Sequence, residues 1–214
     1  MAQRYAVHAM MKRHRKISGA ATPRSTRGLQ QSAPNRLRII GGQWRGLRIT
    51  FPPLPALRPS TDRVRETVFN WLQPIIVGTH CLDLFAGSGA LGIEALSRGA
   101  AHVDFVDCEP RIADHLEQTL QRLGAVGGFA HVADAYSYLE RSPRRYEVVF
   151  LDPPYATDLL PAICNQLATG GWLAPGAMIY LECAADQPLP ALPAGWQIHR
   201  SKRAGQVGYH LLKT

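Results

Sequence analysis

The chain has 214 residues, enough for one domain around a single buried core, and its 46% hydrophobic content is ordinary for a globular protein. Cys81, Cys108, Cys164 and Cys183 are too few and too widely spaced for a disulfide scaffold or a C-x-x-C site, and no apolar run approaches the roughly 18 residues that span a bilayer. The net charge of +8 is uneven: residues 1–65 hold 14 Lys+Arg against one acid, Asp62, hence +13, whereas residues 66–214 hold 10 bases and 15 acids, hence −5. A polycation joined to a mildly acidic domain points to a polyanionic partner such as nucleic acid.

Residues 1–35 carry no apolar periodicity and read as a disordered basic arm. Residues 1–38, acid-free and rich in Arg and Ser, share the composition of an organelle transit peptide, but without the apolar h-region of a secretory signal. A basic arm on a cytoplasmic protein, or a true start at Met10 or Met11, is the reading preferred here. "RLRIIGGQWRGLRITF" (36–51) predicts a hairpin around glycines, and the Pro-rich 52–59 a linker outside any regular ladder. The main domain is expected over 60–214. It opens with a helix capped by Ser60, Thr61 or Asp62, with Val64, Val68, Phe69 and Leu72 on one face.

From there strand and helix patterns alternate. Strands are expected over 79–85, 102–107, 129–133, 146–152 and 177–183, with helices over 89–98, 110–123, 134–140 and 157–169 between them. A closing pair of β runs, 196–202 and 206–213, predicts an antiparallel edge hairpin. The alternation means an α/β fold, a doubly wound and largely parallel sheet covered on both faces.

"CLDLFAGSGALGIEAL" (81–96) holds Gly87, Gly89 and Gly92 in the spacing G-x-G-x-x-G, which by itself suits a dinucleotide. Asp83, four residues before the first glycine, argues otherwise, because a pyrophosphate beside it would meet repulsion in a partly buried site. Asp107, Asp134 and Asp152 also fall at or just past strand ends, where a doubly wound sheet binds its ligands. A single such Asp is ordinarily a helix cap; four in successive units suggest a carboxylate-lined crevice. S-adenosylmethionine, with an ammonium, a sulfonium and a ribose diol, is a ligand such a crevice would welcome. Asp107 is placed to accept both ribose hydroxyls, and the glycines let the backbone approach the ligand. Gly92 reads as easing helix–sheet packing.

The discriminating motif is Asp152-Pro153-Pro154-Tyr155, directly after the fourth strand. Two prolines fix φ and remove two amide donors, which leaves a rigid turn with its carbonyls free. Asp152 and the Pro153 carbonyl can accept both hydrogens of an exocyclic amine and aim its lone pair at a transferable methyl. Tyr155 can stack on the base that carries the amine. Arg36, Arg38, Arg45, Arg48, Arg58, Arg63 and Arg65, with Lys202 and Arg203, are candidate contacts to RNA phosphates. Arg63, Arg65 and Glu66 have a second reading, an internal ion-pair cluster. Trp44 and Trp71 read as packing, and the histidines show no metal-ligand spacing.

Asp83–Gly89 with Asp152–Tyr155 resembles the class I S-adenosylmethionine-dependent amino-methyltransferases. Adding "RIIGGQWRGLRI", "LRPSTDRVRETVFNWL" and "KRAGQVGYHLLK", the span from about Arg36 to Lys213 resembles the bacterial 16S ribosomal RNA guanine-N2 methyltransferase family RsmD. The resemblance implies a Rossmann-like seven-stranded methyltransferase sheet with an antiparallel last strand. It also implies direct methyl transfer from S-adenosylmethionine to a guanine N2 in 16S ribosomal RNA or an assembling small subunit, by a monomer without metal. Cofactor contacts then map onto Asp83, the loop residues Ala86, Gly87, Ser88 and Gly89, Asp107, and Asp134 for the adenine amine, with Glu109 a further candidate. Many relatives have Asn where Asp152 stands. Three alternatives stay open: a DNA adenine-N6 methyltransferase, a protein-glutamine methyltransferase, and a non-catalytic RNA-binding factor on the same fold.

Overall fold

Alternation of apolar and basic residues at the start of the domain yields a two-stranded antiparallel ribbon, β1 (Asn35–Arg38) and β2 (Arg48–Phe51), with Leu37 opposite Ile49 and Arg38 opposite Arg48. Leu37, Ile49 and Phe51 are buried, whereas Arg36, Arg38 and Arg48 are exposed. The computed structural model describes residues 35–51, 61–154 and 159–214. Of the expected arm over 1–35 only Asn35 is described, and it opens β1 instead; the rest of the arm, the Pro-rich linker with Arg58, Tyr155, and the predicted helix start at 157–158 lie outside the described residues.

Thr61 caps α1 (Asp62–Leu72), its hydroxyl accepting from Val64 N at 3.4 Å, and the predicted stripe Val64, Val68, Phe69 and Leu72 is buried. The alternating units follow: β3 (His80–Asp83), α2 (Ala90–Ser97), β4 (His102–Asp107), α3 (Pro110–Leu123), β5 (Gly128–Val132), α4 (Ala135–Leu139), β6 (Tyr146–Leu151), α5 (Leu160–Thr169), β7 (Leu173–Ala184), β8 (Gln197–Ala204) and β9 (Val207–Lys213). They form one seven-stranded sheet in the order β5-β4-β3-β6-β7-β9-β8. The first five strands of that order are mutually parallel, and β9 runs antiparallel to both its neighbours, β7 and β8. The predicted edge hairpin is therefore present, with β8 outermost and the last strand inserted beside β7.

Most boundaries fall within one or two residues of expectation, and the largest difference is at β7. β7 begins at Leu173 rather than 177, and its register with β6 jumps from Tyr146–Leu173 to Val148–Met178. The inserted Ala174-Pro175-Gly176 explains the jump: Pro175 has no amide to donate, and Gly176 takes φ +73°. The core lies in two layers, one on each face of the sheet. α2 is buried on all sides, because the sheet covers one face and the N-terminal ribbon touches the other.

Candidate active site

The order of strands reverses between β3 and β6, the point at which doubly wound sheets open a ligand crevice. Asp83 ends β3, level with Phe105 of β4 and Phe150 of β6. The chain then runs on between the neighbouring strands, Leu84 N bonding Phe150 O at 3.2 Å and Ala86 N bonding Val106 O at 2.9 Å. The loop turns at Gly87 (φ +51°) and Gly89 (φ +76°), a conformation in which an L side chain is strained. At Gly89 a Cβ would also lie 2.5 Å from Leu116 Cδ2 and 2.8 Å from Ile93 Cδ1.

Four consecutive strands, β5, β4, β3 and β6, deliver Asp134, Asp107, Asp83 and Asp152 to the same end of the sheet. At about 4.8 Å per strand the row is roughly 14 Å wide. Asp107, half-buried, accepts from Gly87 N through Oδ2 and from Glu109 N through Oδ1, both at 2.9 Å. Its pKa is raised, by burial first, against the pull of those two amides. Each carboxylate oxygen retains a second lone pair for a ribose hydroxyl. Asp134 is exposed and caps α4 through Ser137 N at 3.0 Å; the Ser137 hydroxyl first, and then this amide, lower its pKa. Glu109 caps α3 through Arg111 N at 3.3 Å. Both candidate cofactor acids thus also do the ordinary work of a strand-end acid, terminating a strand and starting a helix.

Asp83 departs from expectation. The sequence suggests a carboxylate at the lip of the loop; the structure puts it beneath, 2% exposed, accepting from Gly92 N at 3.0 Å. The cause is register: Asp83 shares the face of Phe105 and Phe150, over which α2 packs. Burial raises its pKa to about 7, and nearby Asp107 adds to the rise. Gly92 has the packing role expected of it, because a Cβ there would stand 2.2 Å from the Phe105 ring.

Asp152 follows β6 directly and is half-buried, with Pro153 buried and Pro154 exposed. The turn sits across the switch point from the glycine loop.

The basic residues divide. Arg36, Arg38 and Arg48 share the exposed face of the ribbon, Arg45 is exposed in its loop, and Arg63, Lys202 and Arg203 are exposed elsewhere. Arg65 is corrected: it is fully buried and cannot meet an RNA phosphate. One guanidinium nitrogen donates to Asp62 at 2.6 Å and to the Arg38 carbonyl at 2.8 Å, and another lies 3.6 Å from Glu94. Of the expected cluster Arg63, Arg65 and Glu66, only Arg65 is internal: Arg63 and Glu66 are exposed, and the ionic partners of Arg65 are Asp62 and Glu94. Trp44 packs against the core, and Trp71 stacks on Tyr209 with ring centroids 5.6 Å apart.

Glu94 is the residue that sequence reasoning missed. It is 1% exposed and accepts from Ile40 N at 2.8 Å, Gly41 N at 2.7 Å and Arg98 Nε at 2.8 Å. Ser97, one turn later, donates to the Gly41 carbonyl at 2.6 Å and accepts from Trp44 N at 3.1 Å. A buried Glu in the apolar run "ALGIEALS" was the available signal. In the middle of β4, Asp104 accepts from Tyr146 at 2.6 Å and bonds His131 and His102 at 2.7 and 2.8 Å, which together hold its pKa well below the usual carboxylate range.

Residues 37–213 match the family model described as Conserved hypothetical protein 95. The chain belongs to that family. Ribosomal RNA small subunit methyltransferase D of Escherichia coli strain K12 is 47% identical over 180 residues, 84% of this chain and 91% of the relative. The same-named protein of Haemophilus influenzae is 41% identical over 86% of this chain and 96% of its own length. Among solved structures, yhhF of Escherichia coli superposes with a TM-score of 0.78 at 46% identity, covering 84% of this chain and 98% of that one. The crevice fits S-adenosylmethionine: strand-end carboxylates, a loop without side chains at Gly87 and Gly89, and a half-buried Asp107. A pyrophosphate there would meet Asp107, Asp134 and Asp152, Asp83 lying beneath the loop.

Proposed function

We propose that the chain transfers a methyl group from S-adenosylmethionine to the exocyclic N2 amine of a guanine in small-subunit ribosomal RNA. Family membership carries the coarser statement: the protein is an S-adenosylmethionine-dependent ribosomal RNA methyltransferase. The finer one rests on the Asp152-Pro153-Pro154 turn beside the carboxylate crevice at the switch point.

Asp107 would hold the ribose, the Gly87–Gly89 backbone the amino-acid portion, and Asp134 or Glu109 the adenine side. When bound, the cofactor supplies an electrophilic methyl on a sulfonium that departs as a neutral thioether. The carboxylate of Asp152 and the carbonyl of Pro153 accept the two amine hydrogens, which turns the nitrogen lone pair toward the cofactor. Both acceptors bind more strongly as positive charge develops on nitrogen, so their contribution is greatest in the transition state. Asp152 is not required as a base, since the alkylated amine can release its proton to water. Arg36, Arg38, Arg45, Arg48 and Arg63, with Lys202 and Arg203, track the phosphates. The enzyme acts as a monomer in the cytoplasm.

The test is transfer of labelled methyl to under-methylated ribosomal RNA, assembled small subunits, duplex DNA or a release factor. Label in guanine supports the reading. Label in adenine or glutamine, or no label anywhere, defeats it. Asp152→Ala is expected to abolish transfer while cofactor affinity changes little; turnover in that variant would refute the role of the turn.

A further inference from the structure

The motif "KRAGQVGYHLLK" belongs to the β8–β9 hairpin, and beyond the phosphate contacts proposed for Lys202 and Arg203 it has no part in the methyl transfer above. Beside it, at the same end of the sheet as the Asp152 turn, opens a groove of about 390 Å³. Two residues past the last β6–β7 ladder pair, Leu151–Leu181, stand Pro153 and Cys183, so the groove begins one strand away from the turn.

Its lining is mixed in a particular way. Cys183, Ser201, Arg203 and His210 share one face of the sheet by register, and Gln187 and Leu189 close the side toward the β7–β8 connection. His210 is fixed at both ring nitrogens, Nδ1 lying 2.9 Å from Ser201 Oγ and Nε2 3.7 Å from Cys183 Sγ. Burial lowers the imidazole pKa and raises that of the thiol, so both are neutral hydrogen-bonding groups rather than an ion pair. Gly208 leaves the floor open, because a Cβ there would lie 3.2 Å from His210 Nε2 and 3.5 Å from Cys183 Sγ. Exposed Arg203 stands at the rim, whereas Lys202, paired with Tyr209, reaches over Trp71 on the other face of the sheet. An apolar wall, neutral donors and acceptors within, and a guanidinium outside match one nucleotide: a base inside and its phosphate at the rim.

We propose that this groove is a second nucleotide subsite, holding the residue that flanks the methylated guanine in the RNA. The inference rests on the RNA guanine reading above and adds the element that fixes the target's neighbour. A flanking contact one strand from the reacting amine would hold the target strand in register while the target base occupies the turn.

The test compares binding of guanosine 5′-monophosphate with that of guanosine dinucleotides extended on either side, using the full chain saturated with S-adenosylhomocysteine. Wild type is expected to bind one dinucleotide series about tenfold more tightly than the mononucleotide, the scale of one base contact. Gly208→Val, which fills the floor, should erase that advantage while leaving mononucleotide affinity unchanged. Arg203→Ala and Gln187→Ala alter only exposed side chains and keep the test decisive should Gly208→Val fold poorly; each should reduce the advantage at least threefold. A wild type with no dinucleotide advantage, or an advantage that survives in these variants, overturns the proposal. An adenosine series run in parallel separates the two readings: equal affinity for both bases defeats the guanine assignment, whereas the subsite stands or falls on the variants alone.

Discussion

Replacing Glu94 by Ala is expected to be among the most damaging single changes in the described residues. Glu94 and Arg65 are both essentially solvent-free, and the guanidinium keeps only Asp62, whose side chain is 60% exposed, as its other acidic partner. Removing one member of a buried pair costs about 3–5 kcal/mol, because the remaining charge is left without compensation. The amides of Ile40 and Gly41 would be orphaned as well, at about 1–3 kcal/mol each if they stayed dry. These terms overlap, since the ribbon can shift and admit water, so a loss of about 4 kcal/mol is the working figure. For a chain of this size that corresponds to a fall in Tm of about 8–16 °C.

Urea and thermal unfolding of Glu94→Ala, Glu94→Gln and the double variant Arg65→Met/Glu94→Leu measure it. Glu94→Gln keeps one acceptor for the ribbon amides but no charge for Arg65, and should fall between wild type and Glu94→Ala. The double variant removes both charges and should recover about half of the Glu94→Ala loss, the two backbone amides remaining unpaired. A loss under about 1 kcal/mol in Glu94→Ala would refute the argument, since it would mean that neither Arg65 nor the ribbon depends on this carboxylate.

Three further outcomes are expected. Asp83 has its pKa raised from 3.8 to about 7, so the folded state holds a proton that the unfolded chain releases, and stability falls as pH rises through that window; Asp83→Asn should flatten this fall and raise Tm at pH 8, which thermal scans between pH 4 and 8 will check. Reversing Arg36, Arg38 and Arg48 to Glu should weaken RNA binding and reduce the slope of log K against log salt by about 2–3, at roughly 0.7–0.9 per lost phosphate contact; an unchanged slope in titrations would remove the ribbon from the RNA interface. Gly92→Ala forces a methyl against the Phe105 ring and should cost about 1–3 kcal/mol in denaturant unfolding.

Most of the sheet was legible because its strands and helices repeat a strong local pattern: "HVDFVD" is β4 and "PRIADHLEQTLQRL" is α3, bounded by Glu109 and Gly124 as caps. The G-x-G-x-x-G loop and the Asp-Pro-Pro turn were legible for a different reason, each being a backbone conformation that only particular residues permit. What the sequence concealed was where a polar side chain points once strands are paired. Asp83 looked like a ligand contact until its register with Phe105 and Phe150 set it under α2. Arg65 belonged to a run of seven arginines whose charge suggested a common use, yet it alone of the described ones is buried, because position 65 falls within the apolar stripe of α1. Its partner Glu94 lies 29 residues away in sequence, on a helix whose other residues are nearly all apolar, a separation no local pattern bridges.

That partnership gives the basic ribbon a physical link to the chemistry. α2 starts at Ala90, immediately after the Gly87–Gly89 turn, and Glu94 stands about one helical turn later. The same short helix therefore covers Asp83 on its sheet side and grips Ile40 and Gly41 of the ribbon on its other side. A ribbon attached by a flexible linker alone would add charge near the crevice without fixing distance. Attached through Glu94 and Ser97, it presents Arg36, Arg38 and Arg48 at a set position relative to the glycine loop, so the phosphate contacts proposed for them would carry positional information to the reacting base. Weakening the Glu94 clamp should accordingly raise KM for RNA well before it alters cofactor affinity, a separation that charge reversal on the ribbon would reproduce without the loss of stability.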